Sequence, residues 1–297
     1  MATTDITKND RRVCLTGTRF WFSAICFTAL LGIVPYISGC AKMYGIAGLV
    51  FLLAKAHTLS DFISRRGSLG LKSNTLWFIA WPGLDADAFF KKTASPLITT
   101  NAEWRAAVLR TVGGSVLIFS AVFWTSADLI VRGWVAMVGM ILVLHFGLLH
   151  LIALAWKNSG RPVVPVMNAP VQSTSLAEFW GRRWNLAFRD YSHRFVFRPA
   201  ARRWNGSVAT WCVFLFSGLI HELAISVPAG GGFGLPLGYF LLQGLGVSIE
   251  RQLVRRGIIT RGSIAGWCFT ATFTIPAAYW LFHPPFVLNV IVPMLQS

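Results

Sequence analysis

Charged residues, and acidic residues above all, are scarce in this chain of 297 residues. Only 13% of the residues are charged and 55% are hydrophobic, and 11 Asp and Glu stand against 27 Lys and Arg. Soluble domains are typically about a quarter charged. The composition therefore excludes an ordinary soluble domain and indicates a membrane protein.

The motifs of the commoner soluble chemistries are missing as well. The chain has no G-x-S-x-G, P-loop, dinucleotide fingerprint or HExxH, which argues against the enzyme classes built on them. Its five cysteines are scattered without a CxxC spacing, and its six histidines form only one close pair, His145 and His150. Neither a disulfide framework nor a metal site is predicted.

Several apolar runs approach the length of about twenty residues that a helix needs to cross a bilayer. The predicted spans are Arg19–Ser38, Tyr44–Ile63, Ala107–Thr125, Gly133–Trp156, Ser207–Val227, Gly234–Ile249 and Ile264–Phe282. The tail Phe286–Leu295 is too short to cross alone and is predicted as a re-entrant or packing helix. We expect an all-α integral membrane fold with about seven to eight transmembrane helices.

Positive charge lies almost wholly on one side of these spans. If the N-terminus is cytoplasmic, nearly all of the 27 Lys and Arg fall in inner segments, and the exceptions are Lys42, Lys55 and Arg132. This pattern predicts a cytoplasmic tail over residues 1–18 and a cytoplasmic segment over residues 157–205. Basic loops around membrane spans favour contact with anionic lipid and argue against a nucleic-acid partner.

The stretch FWGRRWNLAFRDYSHRFVFRP, Phe179 to Pro199, is rich in both arginine and aromatic residues. Ser175 and Glu178 have the spacing of a capping box, which predicts a helix start. Along this helix one face is aromatic and the other polar. The aromatic face holds Trp180, Trp184, Ala187, Phe188, Tyr191 and Phe195, and the polar face holds Glu178, Arg182, Asn185 and Arg189. We expect an amphipathic helix at the inner interface, for which simple anchoring is an alternative role.

The stretch FSGLIHELAIS, Phe216 to Ser226, places His221 and Glu222 inside a predicted span. Ionisable residues at membrane depth are costly and usually functional. A cavity-facing stripe is predicted from the helical spacing of Ser207, Thr210, Ser217 and His221. Glu222 points about 100° away, so an ion pair or a hydrogen bond between helices is expected of it. His145 is predicted to line the same cavity, and a purely packed role for His221 stays open.

Five motifs together resemble the membrane-bound O-acyltransferase superfamily, in particular its wax synthase-like branch. They are the FWGRRWN at 179–185, the SGLIHEL at 217–223, the WPG at 81–83, the HFG at 145–147 and the S-L-x-E-F-W from Ser175. The resemblance covers about the C-terminal three-quarters of the chain. It implies one polytopic acyltransferase domain over 1–297, with interfacial amphipathic helices lining a central cavity.

The resemblance also implies a reaction. It is the acyl-CoA-dependent transfer of a fatty acyl group to a hydroxyl, with acyl-CoA as co-substrate and no bound cofactor. The family's catalytic His maps to His221, and the Asn that closes the FWxRRWN motif maps to Asn185. Membrane lipids and a lipophilic alcohol acceptor are the further expected partners, and no pattern in the chain predicts an oligomeric state.

Chemistry assigns each candidate a role. A neutral His221 can take the proton of an alcohol as general base, and Asn185 can orient the substrate or donate to a developing oxyanion. Guanidinium groups bind phosphate bidentately, which suits CoA. The predicted substrate-binding residues are Arg182, Arg183, Arg189, Trp180, Trp184, Ser217 and His145.

Other functions stay open from the sequence. The acceptor could be a fatty alcohol, giving a wax-type ester, or a sterol, diacylglycerol or a secondary-metabolite hydroxyl. A lipid or solute transporter is a further alternative, in which a membrane histidine lines the path. Transporters often consist of two related halves with broken helices, and the chain has no such symmetry.

Overall fold

The computed structural model describes residues 37–67, 69–260 and 262–296, and the regular structure in these ranges is helical. In chain order the helices are α1 (Gly39–Arg66), α2 (Leu71–Ala80), α3 (Ala86–Phe90), α4 (Asn101–Phe123), α5 (Leu129–Asn158), α6 (Leu176–Glu178), α7 (Leu186–Ser192), α8 (Gly206–Ala229), α9 (Leu235–Arg255), α10 (Ile264–Leu281) and α11 (Pro284–Met294). Shorter pieces are the 3₁₀ turn Pro170–Gln172, the helix Arg198–Arg203, and π-helical turns at Leu142–Leu148, Phe179–Arg183, His193–Phe197, Glu222–Ser226 and Val287–Ile291.

Four of the described helices, α1, α4, α5 and α8, are long and apolar enough to cross a membrane. The predicted spans Tyr44–Ile63, Gly133–Trp156 and Ser207–Val227 fall within α1, α5 and α8, and Ala107–Thr125 extends two residues beyond the end of α4. Helices α10 and α11 meet at a 56° bend, and together they make a possible fifth, broken span. The described part of the chain is thus all-helical, with four or five helices of membrane-spanning character.

Two further predicted spans are not among these membrane-spanning candidates. Most of Arg19–Ser38, like the tail 1–18, lies outside the described residues. Gly234–Ile249 does form a helix, α9, but it is not among the helices that are long and apolar enough to span. Gln243 and Glu250 are buried in α9, and such polar residues lower its hydropathy. The predicted total of seven to eight spans is therefore not reached by the described residues.

A buried lysine joins α1 to the WPG turn at 81–83. Lys55 is fully buried, and its Nζ donates to the backbone oxygens of Trp81 at 2.6 Å and Gly83 at 3.3 Å. The same Nζ lies 3.9 Å from the centre of a Trp77 ring, a cation–π contact. This explains why Lys55 departs from the charge asymmetry: it satisfies carbonyl groups inside the protein.

Four charged side chains form a cluster, here called the clasp, that joins α1 to α3 and to the π-helical turn His193–Phe197. The Arg65 Nη2 lies 2.7 Å from the Asp87 Oδ2, and the Arg194 Nη1 lies 3.1 Å from the same oxygen. Both arginines also pair with Asp61. Burial by itself would raise the pKa of Asp87, but hydrogen bonds from Arg65 and Arg194 outweigh it and hold that pKa below its ordinary value.

Loss of the clasp should lower the stability of the protein. We expect Arg194→Gln to lower the melting temperature in detergent by about 2–4 °C, equivalent to about 1 kcal/mol, since the four groups are partly exposed. Arg66→Gln is the matched control, because Arg66 is 68% exposed and its Nε lies 3.9 Å from Asp87. The pKa of Asp87 is depressed, so its contribution should be present at neutral pH and be lost as pH falls below about 4. Equal melting of the two variants would contradict a stabilising clasp.

Candidate active site

A large, mostly apolar cavity of about 1170 Å³ lies among α5, α8, α9, α10 and the segment before α8. Of the predicted site residues, the cavity brings together His145, Trp180, Trp184, Asn185, Arg189, Ser217 and His221. Arg182 and Arg183 are not among its lining residues. The predicted stripe on α8 is thus confirmed for Thr210, Ser217 and His221, whereas Ser207 is exposed and does not line the cavity.

His221 occupies a defined orientation on α8. Its Nδ1 lies 2.7 Å from the carbonyl oxygen of Ser217. A carbonyl only accepts, so Nδ1 carries the proton and Nε2 is the unprotonated acceptor of the neutral ring. The ring packs 4.5 Å from the ring of Phe240, and no described residue bonds to Nε2. The geometry leaves an imidazole acceptor for a molecule in the cavity.

Two of the three histidines that line the cavity, His145 and His221, sit at irregularities of long helices. His145 lies inside the π-helical turn Leu142–Leu148 of α5, and His221 directly precedes the turn Glu222–Ser226 of α8. Such turns are rare and occur frequently at functional sites. The Nδ1 of His145 is buried and has no hydrogen-bond partner among the described residues.

Glu222 faces away from the cavity, as its helical position predicts. Its Oε1 accepts from the backbone N–H groups of Gly234 and Leu237, both at 2.9 Å. Carboxylates are favourable at helix N-termini, where backbone N–H groups lack partners. Glu222 thus holds the start of α9 against α8, which confirms the expected hydrogen bond between helices.

Asn185 breaks the helix that the sequence predicts. Its backbone is left-handed, with φ of 42° and ψ of 60°, and its Oδ1 accepts from Phe188 N at 3.4 Å to cap α7. Asn adopts this conformation more readily than other residues with a side chain. The single amphipathic helix across the FWGRRWN motif is therefore wrong: one helical piece ends at Arg183 and a second begins at Leu186.

The cap also fixes the direction of the Asn185 amide. Because Oδ1 accepts the Phe188 N–H, the opposite end of the amide carries the two N–H donors. No described residue accepts from this nitrogen, and Asn185 lines the cavity. Asn185 therefore offers hydrogen-bond donors to a bound molecule, while its oxygen is occupied.

The aromatic residues of the motif form a cavity wall that neighbouring helices hold in place. The Trp180 Nε1 donates to the Oε1 of Gln243 at 3.2 Å, and the Gln243 Nε2 donates to the Phe273 oxygen at 2.7 Å. The ring of Trp184 stacks on that of Phe179 at 5.4 Å. Despite the broken helix, Trp180 and Trp184 both line the cavity, as expected of the aromatic face.

Only one of the two hydrogen bonds of the predicted capping box at Ser175 is formed. The Ser175 Oγ accepts from Glu178 N at 2.9 Å, which confirms the helix start. The Glu178 carboxylate instead accepts from Thr174 N, and its Oε1 lies 2.7 Å from the Arg183 Nε. The Arg183 Nη1 also donates to the Ala169 oxygen at 3.2 Å. Arg183 is thus engaged within the protein.

The other predicted arginines differ in their position. Arg182 is exposed, so it could contact a donor molecule only outside the cavity. Arg189 lines the cavity, and its Nη1 lies 2.9 Å from the Asp190 Oδ1. Burial raises the pKa of Asp190 to about 6, although Arg189 opposes the shift. As pH falls through about 6, Asp190 becomes neutral, and the Arg189 charge is no longer balanced by it.

Sequence reasoning gave no cavity role to two polar residues of α9, Arg251 and Tyr239. Both lie on α9 and line the cavity. Arg251 was counted only as an inner-side charge, although its position at the end of a predicted span was a usable signal. Tyr239 drew no attention because an aromatic residue in an apolar run normally indicates packing.

Comparison with known proteins finds relatives that match the part of the chain containing this site. A model of the membrane bound O-acyl transferase family matches residues 163–242, which include Asn185 and His221. A long-chain-alcohol O-fatty-acyltransferase of Simmondsia chinensis is 30% identical over 146 residues, 45% of this chain and 41% of that protein. A probable long-chain-alcohol O-fatty-acyltransferase 8 of Arabidopsis thaliana is 32% identical over 132 residues, 41% of this chain and 39% of that protein.

A third relative carries a different acceptor in its name. The acyl-CoA–sterol O-acyltransferase 1 of Arabidopsis thaliana is 30% identical over 142 residues, 41% of this chain and 38% of that protein. These matches confirm the resemblance to the membrane-bound O-acyltransferases and their wax synthase-like branch. The matched part spans about two fifths of the length of these relatives.

Proposed function

We propose that this protein is an acyl-CoA-dependent O-acyltransferase that esterifies a lipophilic alcohol within the membrane and forms a wax-type ester. The observation that carries the proposal is the pairing of two groups in one large apolar cavity. His221 presents an unprotonated Nε2, and Asn185 has amide donors without a protein partner. The resemblance to alcohol acyltransferases supports the same reaction.

The reaction follows from these two groups. The His221 Nε2 removes the alcohol proton as the alcohol oxygen attacks the thioester carbonyl carbon, and the carbonyl oxygen becomes an oxyanion. The Asn185 amide donates a hydrogen bond to that oxyanion. When the intermediate collapses, the carbon–sulfur bond breaks, and the imidazolium returns the proton to the CoA sulfur. The products are an ester and CoA thiol, and His221 is neutral again.

The membrane arrangement is part of the proposal. The protein is integral to the membrane, with seven to eight spans around a central cavity and with its N-terminus and residues 157–205 on the cytoplasmic side. The asymmetry of Lys and Arg supports this orientation. CoA is polar and polyphosphorylated, so its phosphates stay at the basic face while the acyl chain enters the apolar cavity. Of the three predicted donor contacts, Arg182 and Arg189 keep this role, whereas Arg183 is engaged by Glu178 and Ala169.

A sterol is the second candidate acceptor. The observation in its favour is the similarity to a sterol acyltransferase, at an identity and coverage close to those of the fatty-alcohol enzymes. The cavity surface is mostly apolar, which suits either alcohol.

The product of a host cell tests this proposal. Cells expressing the protein and fed long-chain alcohols, sterols and diacylglycerol should accumulate a new fatty acyl ester, with fatty alcohol as the preferred acceptor. Matched cells expressing His221→Ala should not. Sterol esters in place of wax esters would reassign the acceptor. No new ester in cells that contain the inserted wild-type protein would contradict the proposal and favour a transporter.

A further inference from the structure

One cavity cation is attached directly to the helix that carries His221. The Arg251 Nη2 donates to the Thr210 Oγ1 at 3.1 Å, and both residues line the cavity. A guanidinium has five N–H donors, so this bond leaves most of them available. The cavity lining contains three arginines, Arg110, Arg189 and Arg251. Among the described residues Arg189 pairs with Asp190, whereas no salt bridge joins a carboxylate to Arg110 or Arg251, and of these two only Arg251 is bonded to the helix that carries His221.

Thr210 and His221 lie on the same wall of the cavity, at different positions along α8. Thr210, Ser217 and His221 stand at i, i+7 and i+11 on one regular helix, and all three line the cavity. These spacings place Ser217 and His221 each within about 20° of Thr210 around the helix axis, on opposite sides of it. At about 1.5 Å per residue, His221 lies about 16 Å along α8 from Thr210 and its Arg251 partner.

We infer that Arg251, held by Thr210, binds the phosphate of the acyl donor, and that its distance from His221 selects a phosphopantetheine thioester over a phospholipid. This rests on the proposed function, because it assigns the donor end of the same site. It names a contact that the arginines of the FWGRRWN motif do not provide.

Bond lengths support this choice of donor. About thirteen bonds separate the phosphorus of phosphopantetheine from its sulfur, and an extended chain advances about 1.1–1.2 Å per bond, which gives about 15 Å. In a glycerophospholipid only about five bonds separate the phosphorus from the acyl carbonyl, which corresponds to about 6 Å. A phosphate at Arg251 therefore brings a thioester carbonyl to His221, whereas the ester of a phospholipid would stop well short of it.

Binding of unreactive donor analogues tests the inference without turnover. S-hexadecyl-CoA is a thioether, so it binds without transfer, and S-hexadecyl-pantetheine is the matched probe without phosphates. We expect Arg251→Gln in the full chain to raise the Kd for S-hexadecyl-CoA about 10- to 100-fold, as the loss of a charged hydrogen bond does. Its Kd for S-hexadecyl-pantetheine should stay unchanged.

Three further variants test the positive charge at position 251, the bond from Thr210 that orients Arg251, and the location of the arginine in the cavity. Arg251→Lys should restore part of the affinity, and Thr210→Val should weaken CoA binding less than Arg251→Gln does. Arg255→Gln is the control, because Arg255 is an exposed arginine one turn along α9 and outside the cavity lining. It should bind both probes as the wild type does. Dipalmitoylphosphatidylcholine should not compete with S-hexadecyl-CoA.

Several results would overturn the inference. They are an unchanged Kd for S-hexadecyl-CoA in folded Arg251→Gln, an equal weakening for both probes, or competition by the phospholipid. If Arg251→Gln fails to fold, unchanged CoA binding by both Arg251→Lys and Thr210→Val would overturn it instead. Failure of the proposed function looks different: the wild type would bind the CoA probe more tightly than the pantetheine probe yet form no ester from palmitoyl-CoA.

Discussion

His221→Ala should form ester about 100- to 10,000-fold more slowly than the wild type, the usual loss when a general base is removed. The reason lies in the geometry of the ring. The Ser217 carbonyl holds the proton on Nδ1, so Nε2 can accept the alcohol proton. The measurement is the initial rate of ester formation by purified protein supplied with palmitoyl-CoA and hexadecanol.

Glu222→Gln is the matched control for this variant. It changes the next residue along α8 and keeps an oxygen for the N–H groups of Gly234 and Leu237. We expect it to cost less activity than His221→Ala and more thermal stability. Near-normal ester formation by folded His221→Ala would contradict the role of His221, whatever the family resemblance implies. A greater loss of activity in Glu222→Gln would move the proton-transfer role to Glu222.

Substitutions of Asn185 should reduce the rate of ester formation by about 100- to 1,000-fold, the usual effect of losing one oxyanion donor. Three variants distinguish the possible roles of Asn185 as hydrogen-bond donor, helix cap and backbone turn. Asn185→Asp keeps the shape and the capping oxygen but loses both N–H donors. Asn185→Gly loses the side chain but suits the left-handed backbone, and Asn185→Ala loses the donors and also strains that backbone by about 1–2 kcal/mol.

We expect all three Asn185 variants to be nearly inactive, while only their stability differs. Asn185→Ala should melt below Asn185→Gly, because φ is 42° at this position and glycine adopts such an angle without strain. Near-wild-type activity in Asn185→Gly would mean that the residue serves only to turn the backbone. Near-wild-type activity in Asn185→Asp would mean that the donors are dispensable.

Four of the predicted spans coincide with helices that are long and apolar enough to cross a membrane, because burial in lipid requires long apolar runs. The exception is Gly234–Ile249, which was predicted as a span and forms α9, but the buried Gln243 and Glu250, which bond to other segments, lower the hydropathy of α9. Helical spacing was equally informative within α8, where it separated His221 from Glu222. The residues of one regular helix keep their relative directions whatever surrounds them.

The break at Asn185 shows where periodicity stops being informative. The aromatic and polar stripes continue across residues 178–195, so the pattern by itself predicts one helix. The local hydrogen bond to Phe188 and the left-handed backbone override it. Side chains of Asn readily compete with helical hydrogen bonding, so an Asn within the motif was the available signal.

Contacts between distant segments account for the part of the site that the sequence did not predict. Arg251 reaches Thr210 across 41 residues, and Arg194 joins Asp61 and Asp87 from a third segment. Charge counting places both arginines on one side of the membrane but says nothing about these contacts. Which arginine faces the cavity and which stabilises the fold depends on tertiary packing.

A single time course tests acyl-CoA-dependent transfer most directly. Purified protein is given palmitoyl-CoA and hexadecanol, and free CoA thiol and hexadecyl palmitate are measured in the same samples. We expect thiol and ester to rise in equal amounts with the wild type, and neither to rise with His221→Ala. Thiol release without ester, or undiminished ester formation by His221→Ala, would contradict transfer of the acyl group at His221.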